Sequence, residues 1–267
     1  MARKRWRPRR ATVDRIWQGG LAMAAFVGVW HVASVTGLFG RIDPDYSLLL
    51  LPPPGVVVKS LYDLAVTGQL WTNVAVSLVR VLIGFGLSVL IAVPLGLLMA
   101  LSTTASNLFE PFVRIFSPIP GIAWVPLAIL WFGLGDGAAV FIITIGSIFP
   151  ILISTIQGVR DVDPRLIDAA RMMGTGTRQT ITRVILPGLV PYLVTGFRTG
   201  MGFAWRVVIA AEMVGVPKGI GYMLNVGRST GQTEVTVVTM LLLGLMMLAV
   251  EELVFSPLEA RTRAWRT

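Results

Sequence analysis

The sequence predicts an all-α fold, a polytopic membrane bundle of six transmembrane helices interrupted by one helical insert. Hydrophobic residues make up 54% of the 267 and charged residues only 14%, against about 25% charged in an ordinary soluble domain. Mean hydropathy is +0.75. The apolar residues come in runs of about 20, the length that crosses a hydrocarbon core as a helix. An outer-membrane barrel would instead show alternating segments of ~10 residues.

Taken in order, residues 1–15 form a basic N-terminus holding seven of the 23 Lys and Arg residues (Arg3, Lys4, Arg5, Arg7, Arg9, Arg10 and Arg15). A basic run before an apolar stretch superficially resembles a secretory signal. The stretch from Ile16 to Phe39 is too long for that and lacks a convincing cleavage site, so it reads as a retained first span, 16–38. Residues 40–70 are mixed. The prolines of LPPPG (51–55) stop any earlier helix, and VVVKSLYDLAV reads as a short amphipathic helix along an interface. Five further spans are expected at 76–101, 107–132, 137–159, 188–214 and 234–256. Residues 16–256 thus form one six-span domain, followed by a basic C-terminus, 257–267, with Arg261, Arg263 and Arg266.

Basic residues orient the bundle. The two ends and the 160–187 insert are arginine-rich, while 133–137 has no Lys or Arg and 215–233 only Lys218 and Arg228. The positive-inside rule therefore places both termini and the insert in the cytoplasm. The formal charge of +9 lies in these span-flanking clusters, a topology signal rather than a nucleic-acid surface.

Two spans are unusual. Span three holds Pro118, Pro120, Gly121 and Pro126 in SPIPGIAWVPL. Each proline removes a donor and clashes with the preceding turn, so the helix must kink or break. Irregular backbone at membrane depth is tolerated only inside protein or beside water, which suggests a helix lining a pathway. Span five has Gly196, Gly200 and Ala204 at four-residue spacing, a stripe that lets another helix approach closely.

No catalytic set is visible. The one histidine, His31, falls in the first span and there are no cysteines, which removes His-based triads, thiolate metal sites and cysteine catalysis. No metal site is expected. The phosphate-loop pattern G-x-x-x-x-G-K-[ST] does not occur, so nucleotide energy by that route has to come from another polypeptide.

The insert begins with Asp163 at an N-cap position and Pro164 in the first turn. Leu166, Ile167, Ala170 and Met173 recur at helical spacing, and Gly174 and Gly176 end the helix. A short helix with an apolar ridge and flanking arginines suits a groove on a soluble partner. A helix lying on anionic lipid is the plainer alternative.

The stretch DAARMMGTGTRQTITRVILP (168–187) resembles the EAA loop of ABC-importer permeases: E-A-A, then G, then a hydrophobic residue and L-P. Asp168, Ala169, Ala170, Gly174, Val184, Leu186 and Pro187 stand at matching spacing, with Asp168 a methylene shorter than the usual glutamate. PIPGIAWVPLAILWFGLGD (118–136), GSIFPILISTIQGVRDVDP (146–164) and GMGFAWRVVIAAEMVG (200–215) are similar to the nitrate, sulfonate and taurine branch. The resemblance spans about 75–256. It implies a homodimeric inner-membrane permease carrying two ABC ATPase subunits that bind ATP and Mg, with no cofactor in this chain. A separate solute-binding protein would deliver a small, anionic solute from outside. The implied ATPase-coupling residues are Asp168, Ala169, Ala170, Arg171, Gly174, Leu186 and Pro187.

Candidate pathway residues are Pro118, Pro120, Trp124, Arg198, Trp205, Arg206 and Glu212. Arg206 and Glu212 sit inside an apolar stretch, where an ionised side chain costs about 2.5–3.5 kcal/mol and faces a cavity or a partner. On an ideal helix they point about 120° apart, so they do not pair with each other. Arg206 would favour an anionic solute, and Arg80, at the outer start of span two, is expected to snorkel. The rival reading is a secondary transporter or channel, which would need coupling-ion carboxylates within its spans.

Overall fold

The computed structural model describes residues 8–36 and 51–263. Arg3, Lys4, Arg5, Arg7 and Arg266 of the basic ends lie outside them. Among the described residues every regular element is helical. The helices are α1 (Pro8–Val35), α2 (Pro54–Val66), α3 (Gln69–Leu101), α4 (Thr103–Phe116), α5 (Val125–Phe132), α6 (Asp136–Arg160), α7 (Pro164–Met172), α8 (Thr177–Gly215), α9 (Ile220–Ser229) and α10 (Thr233–Thr262). A 3-10 turn, Gly121–Trp124, leads into α5.

Five helices are long and apolar enough to cross a bilayer: α3, α6, α8, α10 and Trp17–Val35 of α1. The third expected span is present but broken. Its two halves, Thr103–Phe116 and Gly121–Phe132, meet at 92°, because Pro118 and Pro120 cannot donate to the helical ladder. Counted as one span, this pair completes the expected six.

The chain divides into two compact units. The first runs up to Gly68 and includes Val226–Val238. Within it, Trp30 Nε1 donates to the Pro52 carbonyl (3.1 Å) and Ser34 Oγ to that of Leu51 (2.7 Å). Helix α2 buries Val57 and exposes Val56, Val58 and Tyr62, which suits an interfacial helix.

The second unit comprises Gln69–Asn225 and Thr239–Thr267. Its core is α6, held between α3 and α8 by small residues. A Cβ on Gly84 or Gly96 of α3 would fall 2.7 Å from Ile143 Cγ2 or 2.8 Å from Thr155 Cβ. On Gly196 or Gly200 of α8 it would fall 2.7 Å from Ser154 Cβ or 2.8 Å from Ile151 Cγ1. The backbones therefore approach as only glycine permits, and the 196/200/204 stripe packs on α6. Hydroxyls fill the α3–α6 seam. Ser88 Oγ lies 3.0 Å from Ser147 Oγ and donates to the Thr144 carbonyl (2.9 Å), while Ser147 bonds back to Ile143.

Two boundaries differ from expectation. Helix α3 starts seven residues earlier than the apolar run, because Asn73 and Ser77 on its first turns bond to the 219–220 backbone. Helix α9 occupies what reads as a connection, since ten residues with two glycines give no span-length signal.

Candidate functional site

One end of the second unit presents the insert. Asp163 accepts from Arg165 N (2.9 Å) and Pro164 opens α7, as the cap pattern dictates. Gly174 ends it with φ +78°, a backbone only glycine adopts freely. The four apolar positions do not share one face. Ala170 is buried, and Ile167 is half-buried, packing against Val159, Val162, Ile185 and Leu189. Leu166, Met172 and Met173 point outward at 57%, 89% and 77% exposure. The outward ridge is thus two methionines and a leucine beside Asp168, Ala169 and Arg171, all exposed. Asp168 and Arg171 pair loosely at 4.0 Å.

Leu186 and Pro187 stand at the base of the bundle, half-buried. Because Pro187 offers no N–H to the preceding turn, α8 widens to a π turn over Ile181–Ile185 just before it. Leu186 and Val184 pack on the cluster that holds α7. A recess of about 380 Å³ lies there, lined by residues including Leu101, Arg171, Thr175 and Thr180.

At the opposite end of α6, about 36 Å away by helical rise, a buried polar hub assembles around Glu212, which has no exposed surface. Ser77 Oγ lies 2.7 and 2.8 Å from its two carboxylate oxygens, Arg80 Nη1 donates at 2.7 Å and Gly221 N at 2.9 Å. Arg80 also donates to the Lys218 carbonyl (2.6 Å) and, through Nε and Nη2, to Asp136 (2.8 and 2.6 Å). Asn73 Oδ1 accepts from Gly219 N (2.7 Å) and Ser77 Oγ from Ile220 N (2.8 Å). The Lys-Gly-Ile-Gly turn is dictated by this hub. Gly219 has φ +129°, a Cβ on it would strike the Glu212 carboxylate, and one on Gly221 would lie 2.6 Å from the Ile209 carbonyl.

Arg80 is therefore not a snorkelling residue. It is 5% exposed and bridges two carboxylates, because it lies on the face of α3 that packs inward. Glu212 was identifiable as a buried charge, but its partner, 132 positions away, was not. The one available signal was charge balance: a buried carboxylate in a span requires a cation from another span.

The remaining candidates separate by face. Trp205 is 4% exposed in the core among Val81, Ile143 and Phe255. Arg198 is paired with Glu251 and with Glu259 (2.7 Å), which balances its charge. Arg206 is exposed on α8, its guanidinium 5.4 Å from the Phe203 ring, and has no carboxylate within 4.0 Å among the described residues. Its neighbour Val207 touches the broken span, since a Cβ on Gly121 would lie 2.7 Å from Val207 Cγ2. Pro118 and Pro120 are exposed there, and Trp124 is half-buried between Phe116 and Phe141. Among the described residues no cluster of His, Cys, Asp and Glu suits a metal ion.

Residues 92–255 match the family described as the binding-protein-dependent transport system inner membrane component. The chain belongs to that family. This permease is 39% identical to a putative ABC transporter permease protein of Methanocaldococcus jannaschii, over 85% of this chain and 84% of that one. Against the taurine transport system permease protein of Escherichia coli identity is 30%, over 91% and 87%. Against the putative aliphatic sulfonates transport permease protein of the same species it is 36%, over 82% and 81%. The fold of the permease is also that of a chain from the MetNI methionine ABC transporter in an inward-facing conformation, with TM-score 0.59 and 21% identity over 70% of this chain and 92% of that chain. The permease is a multi-pass inner-membrane component of an ABC importer.

Proposed function

We propose that this permease forms, as a homodimer, the pathway for a small anionic solute, with two ATPase subunits on its α7 face and a solute-binding protein at the other end. The observation that supports this reading best is the outward ridge of α7, Leu166, Met172 and Met173 beside Asp168 and Arg171, offered by a short helix between two spans. Such a ridge fits a groove on a soluble partner. ATP and Mg would be bound by that partner, and this chain performs no bond chemistry.

The packing supplies a mechanical route. A push on the ridge reaches Ile167, which seats α7 on the end of α6 and the start of α8. Both helices run to the hub at the other end, so rigid-body tilting of α6 and α8 links ATPase closure to the opening there. With the insert in the cytoplasm, as the arginine distribution requires, both termini are cytoplasmic and the hub faces outward.

Arg206 supports the solute class. It is an exposed cation on a span, over the Phe203 ring and with no carboxylate within 4.0 Å among the described residues. An Arg206→Ala permease, reconstituted with its ATPase, should take up taurine or alkyl sulfonates at least tenfold more slowly while hydrolysing ATP normally. Undiminished uptake of every anion would remove the assignment.

Affinity purification of the tagged chain in mild detergent tests the docking reading. An ATPase should copurify with the wild type and be lost from an Asp168→Lys/Met172→Glu variant, both positions being exposed, of unchanged thermal stability. Equal recovery from both would overturn it.

A further inference from the structure

Arg80 holds two carboxylates of opposite character. Glu212 is fully buried, whereas the side chain of Asp136 is 76% exposed. Breaking the Arg80–Glu212 pair would strand a charge inside the bundle, which is strongly disfavoured. Breaking the Arg80–Asp136 pair leaves no buried carboxylate unpaired, because Asp136 returns to solvent while Arg80 Nη1 keeps Glu212 and the Lys218 carbonyl; the cost is confined to the Nε and Nη2 donors. One arm of the guanidinium is locked and the other can be released.

The releasable arm ends on the turn that opens α6. Asp136 is the first residue of α6 and follows a turn in which Gly133 (φ +73°) and Gly135 (φ +144°) adopt backbones that other residues resist. Helix α5, only eight residues, lies between this turn and the 92° break and packs Val125 and Ala128 against Ala138, Ala139 and Val207. On the locked arm, Glu212, Ser77 and Asn73 tie the 219–221 backbone to α3 and α8.

We propose that Arg80 and Asp136 form a releasable clasp that positions the α5–α6 turn in the closed state. When the pathway opens at this end, Asp136 leaves Arg80 while Arg80, Glu212 and the start of α9 stay together. The role of the clasp in transport rests on the permease reading above; the motion is a property of this chain and can be measured without its partners.

The chain has no cysteine, so spin labels can be placed at Leu134→Cys, in the turn, and Leu90→Cys, both exposed. Leu90 lies ten residues along α3 from Arg80, about 15 Å by helical rise. Double electron–electron resonance is recorded in nanodiscs, the labelled chain being diluted with unlabelled chain so that each distance lies within one copy. The wild type should give one dominant distance. Asp136→Asn should add a second, longer population with the thermal unfolding midpoint unchanged, and Asp136→Glu should restore the single one. Superimposable wild-type and Asp136→Asn distributions would overturn the clasp, as would an Asp136→Glu distribution as altered as that of Asp136→Asn. Loss of ATPase docking would leave either result unaffected.

Discussion

At Glu212 the chain places a carboxylate where no solvent reaches, and the partners that balance it come from α3 and from the turn that opens α9. Removing one partner of a buried ion pair costs about 3–5 kcal/mol, whereas replacing both with apolar side chains is often nearly neutral. Glu212→Ala should therefore lower the unfolding temperature of the detergent-solubilised permease sharply. Arg80→Met/Glu212→Met should recover most of the loss, and a double variant as unstable as the single would contradict the pairing. Lysine cannot replace Arg80, because one ammonium cannot present the fork that reaches Asp136, Glu212 and the Lys218 carbonyl together. In the sequence, Glu212 stands out as a charge in an apolar run. Arg80 also stands out, but its apolar neighbours are equally compatible with snorkelling, and only the packing of α3 on α6 decides between them.

Among the elements, α7 and the broken span were legible and α9 was not. Asp163, Pro164 and Gly174 are local backbone signals, and they act where the sequence puts them. Pro118 and Pro120 likewise break the span whatever surrounds it. The outward face of α7 is not legible in the sequence, because helical spacing groups Leu166, Ile167, Ala170 and Met173 while two of them, Ile167 and Ala170, turn inward. The seams between long helices give a sharp test. On Gly158 of α6, a Cβ would lie 2.5 Å from Leu189 Cδ1 and 2.6 Å from Tyr192 Cβ. Gly158→Ala should force α6 and α8 apart at a cost of about 1–3 kcal/mol, the usual range for overpacking. Thermal unfolding compared with Gly86→Ala, where a Cβ meets nothing within 4 Å, isolates the effect.

Across the whole molecule, the exposed ridge of α7 lies at one end of α6 and the ion-pair hub at the other. The proposed coupling requires the two ends to lie on opposite sides of the membrane. In intact cells, an impermeant thiol reagent should label Leu134→Cys and spare Met172→Cys, and the reverse pattern would invert the topology. The most direct test of the central claim is uptake into proteoliposomes that contain the permease, its ATPase and its binding protein. Uptake of a sulfonate should require ATP on the side of α7 and should fall to background with Met172→Glu/Met173→Glu, which places charge on the ridge. Uptake that persists without the ATPase, driven by an ion gradient alone, would contradict the account and return the chain to the class of secondary transporters.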